Sequence, residues 1–105
     1  MRLSTHVLDT TSGGPAVGLA VCVIGPDGVT AQGVTDSDGR AGPWADLPPR
    51  AFHALSFDVG SYFRDAGVDT FFDVITVRFR LPGARSRCHV PLLVGPWSYT
   101  TYRGS

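Results

Sequence analysis

Histidine changes charge near neutral pH, so acid–base chemistry in this 105-residue chain is sought first at its three histidines. Strand parity sorts them. His89 alternates against Cys88, Val90, Leu92 and Val94, so a core built from those four leaves His89 pointing outward. His6 stands opposite Leu3, Thr5 and Val7, although Leu8 shares its side. His53 shares a face with Leu55, Phe57 and Val59 and reads as a core residue. For His6 and His89 the plain alternative is an exposed strand histidine. No two His or Cys residues stand at zinc-ligand spacing, because Cys88 and His89 are adjacent and point to opposite faces. The same pleat parts a Cys88 thiol from a neighbouring base. Arg40, after Asp38-Gly39, offers a planar fork of donors to an anion, or is merely solvated. Asp9 could orient an imidazole but fits a turn cap better. Tyr102-Arg103-Gly104-Ser105 groups an aromatic ring, a fixed cation, a hydroxyl and the α-carboxylate, which would suit a pocket floor or fray.

Composition narrows what those residues can belong to. All 9 basic residues are Arg, all 9 acidic residues are Asp, and Lys, Glu and Asn are absent. Without lysine there is no Schiff-base nucleophile, no pyridoxal anchor and no P-loop lysine. With two good helix formers missing and 13 Gly and 8 Pro present, a helical bundle is excluded. A net charge of zero with no basic run gives nucleic acid or an anionic membrane no electrostatic footprint. It does little to oppose self-association, which leaves an oligomer open. No apolar run approaches the roughly 18 residues that suggest a membrane span. The segment Met1 to His6 lacks the apolar core of a secretory signal, so a cytoplasmic protein is expected, with Cys22 and Cys88 as buried reduced thiols.

The elements that must position these groups read as short strands between turn clusters, the pattern of an all-β sandwich. Strands are expected at 3–8, 18–24, 29–35, 52–59, 74–81, 87–94 and 97–103, with 18–24 buried on both faces. The Pro-rich stretch 41–50 should be loop, with a short edge strand at best. Gly60 to Gly67 is the one helix candidate, with Ser61 as N-cap and Gly67 as the stop. The sum is one domain over 1–105, with seven or eight strands and one short helix.

Four segments carry a resemblance that composition alone does not. They are Leu3-Ser4-Thr5-His6-Val7-Leu8-Asp9-Thr10, Thr35-Asp36-Ser37-Asp38-Gly39-Arg40, Phe71-Phe72 with Val77-Arg78-Phe79, and His89-Val90-Pro91-Leu92-Leu93 continuing through Ser98 to Ser105. In these the chain resembles the transthyretin-like proteins, and within them the 5-hydroxyisourate hydrolases. The resemblance implies a two-sheet β-sandwich assembled as a homotetramer, with a channel between dimers that holds a hormone in transthyretin and an active site in the hydrolases. It implies His6, Arg40, His89 and Ser105 as catalytic residues and Tyr102, Arg103 and Gly104 as substrate-binding, with no metal or cofactor. The implied activity is hydrolysis of a cyclic amide in urate degradation; the alternative is a non-catalytic small-molecule carrier. Asp73-Val74, Gly95 and His53 depart from the pattern and touch none of the implied catalytic set.

Overall fold

Alternation in sequence becomes alternation in burial along β1 (Arg2–Asp9), where Leu3, Thr5, Val7 and Asp9 are buried and Ser4, His6 and Leu8 half-buried. β8 (Arg87–Val94) buries Cys88, Val90, Leu92 and Val94 on the core side, and Pro91 on its other face is buried as well. In the computed structural model, which describes residues 1–48, 51–81, 83 and 87–104, these two strands lie parallel at the centre of one sheet. β2 (Gly14–Pro15) and β5 (Arg40–Trp44) pair with the other edge of β1, and β9 (Tyr99–Thr101) pairs with β8. The second sheet is antiparallel throughout, in the order β4 (Gly28–Val34), β3 (Ala20–Gly25), β6 (Phe52–Phe57), β7 (Ile75–Arg80). Between the sheets lie Leu3, Val7 and Leu92 from one side and Val23, Leu55 and Phe57 from the other, all at 0% exposure. Each such side chain contributes about 1.5–3 kcal/mol, so this layer fixes which faces turn outward.

α1 (Val59–Asp65) begins earlier than the expected cap at Ser61. Asp58 is the N-cap, its carboxylate accepting from the Ser61 N–H at 3.2 Å. Val59 and Phe63, both fully buried, hold the first turn against the core, and that packing sets the start. Gly67 does stop the helix, in the left-handed region at φ 73°. One helical residue reaches back to the first sheet: the Tyr62 hydroxyl donates to Asp9 Oδ2 at 2.7 Å.

Several elements differ from expectation in extent. Among the described residues nine strands form, because the turn after Asp9 pairs back through the two-residue β2 and the Pro-rich stretch contributes β5. β3 is buried on one face only, with Ala20 exposed and Cys22 and Ile24 half-buried, so Cys22 is not the buried thiol expected. The 41–50 stretch begins as β5, held in register by Thr5 and His6 of β1. Its last two residues, Pro49 and Arg50, and Pro82 of the expected turn lie outside the described residues. β9 covers only part of 97–103, since the chain turns back from β8 through Gly95 to Ser98, the Gly95 N–H donating to the Ser98 carbonyl at 2.9 Å.

Candidate active site

Parallel pairing of β1 with β8 sets Ser4 beside His89 and His6 beside Pro91, on the face turned away from the core. Antiparallel pairing of β1 with β5 sets Arg40 beside His6. Residues from both ends of the chain thus meet on one outward surface. The Ser4 hydroxyl and His89 Nδ1 are 2.8 Å apart, a contact spanning 85 residues of sequence.

The loop before β5 is built to hold His6 and Arg40. Asp36 Oδ1 accepts from the backbone N–H of Asp38 and of Arg40, both at 2.9 Å, and the Asp36 N–H donates to the Arg40 carbonyl at 2.9 Å. Those N–H donors, Arg40's first, hold the Asp36 carboxyl below its usual range, with the Arg40 charge adding to them. Gly39 sits at φ 78°, and its carbonyl accepts from the Val7 N–H at 2.8 Å. A Cβ there would meet the Val7 carbonyl at 2.5 Å, so only glycine allows the loop this close to β1. The loop in turn offers the Asp38 carbonyl to His6 Nε2 at 2.8 Å. A carbonyl only accepts, so Nε2 carries the hydrogen and the neutral ring keeps its lone pair at Nδ1.

His89 is fixed on two sides. Beyond Ser4, the strand leaving β9 bridges it through Gly104, whose N–H donates to the His89 carbonyl at 2.7 Å. A Cβ on Gly104 would lie 2.8 Å from His89 Cδ2, so the imidazole rests against bare backbone. Burial, then the charges of Arg40 and His6, hold the His89 pKa below its ordinary 6.5, and a hydrogen bond at Ser4 opposes them. His89 is therefore neutral at neutral pH and able to accept a proton. It lines, with Ser4 and Arg40, an open hollow of ≈ 300 Å³.

The other candidates fall elsewhere. Tyr102 and Arg103 line a separate hollow with Val77, Phe79 and Cys88, and Ser105 lies outside the described residues. His53 is 2% exposed, with Nε2 3.1 Å from the Pro48 carbonyl, as a core histidine should be. Asp9 accepts from the Thr11 and Ser12 N–H groups and caps its turn. Among the described residues no three His, Cys or Asp side chains converge to hold a metal ion. Sequence reading missed Ser4 as a partner of His89. Its outward parity was visible, but nothing local announces that β1 pairs with β8.

Fold and face together define a two-sheet sandwich that carries its polar cluster on an outer sheet surface. The model of the HIUase/Transthyretin family matches residues 3–104, and the chain belongs to that family. It is 43% identical to the 5-hydroxyisourate hydrolase of Ralstonia nicotianae, over 99% of this chain and 98% of that protein. The structure of Klebsiella pneumoniae 5-hydroxyisourate hydrolase superposes with a TM-score of 0.90 at 33% identity, covering 100% of both chains. Sea bream transthyretin in complex with thyroxine superposes at 0.88 and 30% identity, covering 99% of this chain and 95% of that one.

Proposed function

We propose that this chain is an enzyme that hydrolyses 5-hydroxyisourate to 2-oxo-4-hydroxy-4-carboxy-5-ureidoimidazoline, a ring-opening step of urate degradation. The observation that carries the reading is the gathering of His6, Arg40 and His89 on one outward face, with Gly104 seated against the His89 ring. The names of the hydrolase relatives agree with it.

Water is a poor nucleophile, so a base must take its proton as the oxygen attacks the ring carbonyl carbon. His89, neutral at neutral pH, is assigned that proton. The C–O bond forms, the carbonyl electron pair moves to oxygen, and Arg40 stabilises the oxyanion. As it collapses, the ring C–N bond breaks and the nitrogen takes a proton from an imidazolium. The products are an N–H on the freed nitrogen and a carboxylic acid, which ionises to carboxylate at neutral pH by releasing its proton to solvent; no electron is transferred. His6, its Nε2 tied to the Asp38 carbonyl, is the second imidazole of the pair. Tyr102, Arg103 and Gly104 are assigned to substrate binding and Ser105 to catalysis, on the family resemblance.

In this reading residues 1–105 act as one hydrolase domain in the cytoplasm, self-associated as a homotetramer. The open site face and the exposed aromatics Trp97 and Tyr102 support association, because an uncovered apolar surface is stabilised by a partner. Among the described residues no helix is long and apolar enough to cross a membrane. The likeness to a thyroxine-bound transthyretin favours a second reading, a small-molecule carrier. A carrier, however, has no use for two imidazoles and a guanidinium on one face.

The experiment is to generate 5-hydroxyisourate in the cuvette from urate with urate oxidase and follow its ultraviolet decay. Decay faster with the protein than in buffer is the expected result. Decay at the spontaneous rate, from folded protein, would leave the carrier.

A further inference from the structure

The outward face does not end at Ser4 and His89. One pleat further toward the start of β1, Arg2 and Arg87 are register partners on the adjacent parallel strands. Neighbouring strands lie about 4.8 Å apart and two residues span about 6.6 Å, so this arginine pair borders the Ser4–His89 pair directly. Both arginines are exposed, and with Ser4 and Arg40 they line a hollow of ≈ 300 Å³. Arg87, Ser4 and Arg40 also line the hollow that holds His89, so the two are continuous.

Two guanidinium groups side by side across a strand pair repel one another. No carboxylate lines either hollow among the described residues. Asp36, the carboxylate that feels the Arg40 charge, spends Oδ1 on backbone N–H donors. In a chain with 9 arginines balanced by 9 aspartates, three arginines around one acid-free hollow are not general basicity. Among the described residues no acidic side chain lines the hollow to pair with them, and guanidinium donors match a planar oxyanion two bonds at a time.

We propose that Arg2, Arg87 and Arg40 form an anion subsite over Ser4 that receives a carboxylate, the group that amide hydrolysis beside His89 generates. This rests on the hydrolase reading for the identity of its ligand, but not for the existence of the site. Arg2 and Arg87 draw the nascent carboxylate off the imidazoles toward the edge of the sheet. The same subsite takes other small oxyanions as competitors.

The test uses inorganic phosphate as the probe, read by NMR at the arginine Nε–H groups and the Ser4 amide, and separately as an inhibitor of hydrolysis. Phosphate should shift Arg2, Arg87 and Ser4 together, and added sodium chloride should weaken it. The double variant Arg2→Gln/Arg87→Gln should bind phosphate on the order of tenfold more weakly, and inhibition by phosphate should weaken by the same factor. Arg64→Gln, on the far helix, should bind as the parent does. Both arginines are exposed, so the double variant keeps its fold, and its unfolding midpoint should hold or rise as the repulsion is removed. Equal phosphate affinity in parent and double variant would overturn the subsite and leave the hydrolase standing. A protein that binds phosphate at these arginines yet hydrolyses nothing would overturn the hydrolase reading and the carboxylate product as ligand.

Discussion

Arg40 acts on His89 through space, and in the hydrolase reading it also steadies the oxyanion; the two effects separate in a pH profile. Its charge favours the neutral imidazole, so removing it raises the His89 pKa. In Arg40→Gln the acid limb of the pH–rate profile should therefore move to higher pH, and the His89 ring signals should titrate higher by NMR. An unmoved titration would show that the two groups do not interact. Ser4→Ala removes the contact to His89 Nδ1 and should cost about 1 kcal/mol of positioning. Hydrolysis should fall several-fold with the unfolding midpoint nearly unchanged, and Ser4→Thr should restore it. At this scale the sequence was informative where parity alone decides. The outward set of His6 and His89 and the inward place of His53 follow from alternation. The role of Ser4 does not, because it depends on a pairing between segments 85 residues apart.

Two elements hold the site in shape, and each has a weak point. The loop before β5 depends on Gly39: Gly39→Ala sets a Cβ against the Val7 carbonyl in a left-handed conformation. That conformation alone costs about 1–2 kcal/mol, so urea denaturation should show a loss above that. Activity should fall further than stability, because His6 and Arg40 both hang on this loop. At the far end of β1, burial first and then the bond to Asp9 push Tyr62 from its ordinary 10 up to about 12. The unfolded phenol ionises first, so this contribution is whole below pH 10, declines above it and is gone once pH passes about 12. For Asp9, burial raises the pKa, but the bonds from Thr11 and Tyr62 outweigh it and hold the carboxyl low. Tyr62→Phe should lose about 1–3 kcal/mol at neutral pH and flatten the alkaline decline; an unchanged pH–stability curve would rule the link out. The strand at 87–94 was legible at both ends, while the one expected over 52–59 stops at Phe57, because Asp58 caps the helix that begins at Val59. The helix start was misplaced because Asp58 and Ser61 are both good caps, and burial of Val59 chose between them.

Across the whole molecule the sandwich brings the two ends of the chain together, and the hydrolase reading treats that meeting as its purpose. The all-β class followed from short strand-like runs between turn clusters, with missing helix formers excluding a bundle, while the parallel β1–β8 pair at its centre had no local signal. If the chain assembles as the proposed tetramer, its solution mass is four times the 11.2 kDa of the chain, measured by light scattering. A monomer as active as any larger species would remove the need for association. The central claim is that His6 and His89 act together on 5-hydroxyisourate from one outward face. It is tested most directly by following urate-oxidase-generated 5-hydroxyisourate with the parent protein, His6→Ala and His89→Ala, each checked for an unchanged unfolding midpoint. The parent should accelerate decay, and each variant should lose a factor on the order of 10²–10⁴. Folded variants as fast as the parent, or a parent no faster than buffer, would contradict it.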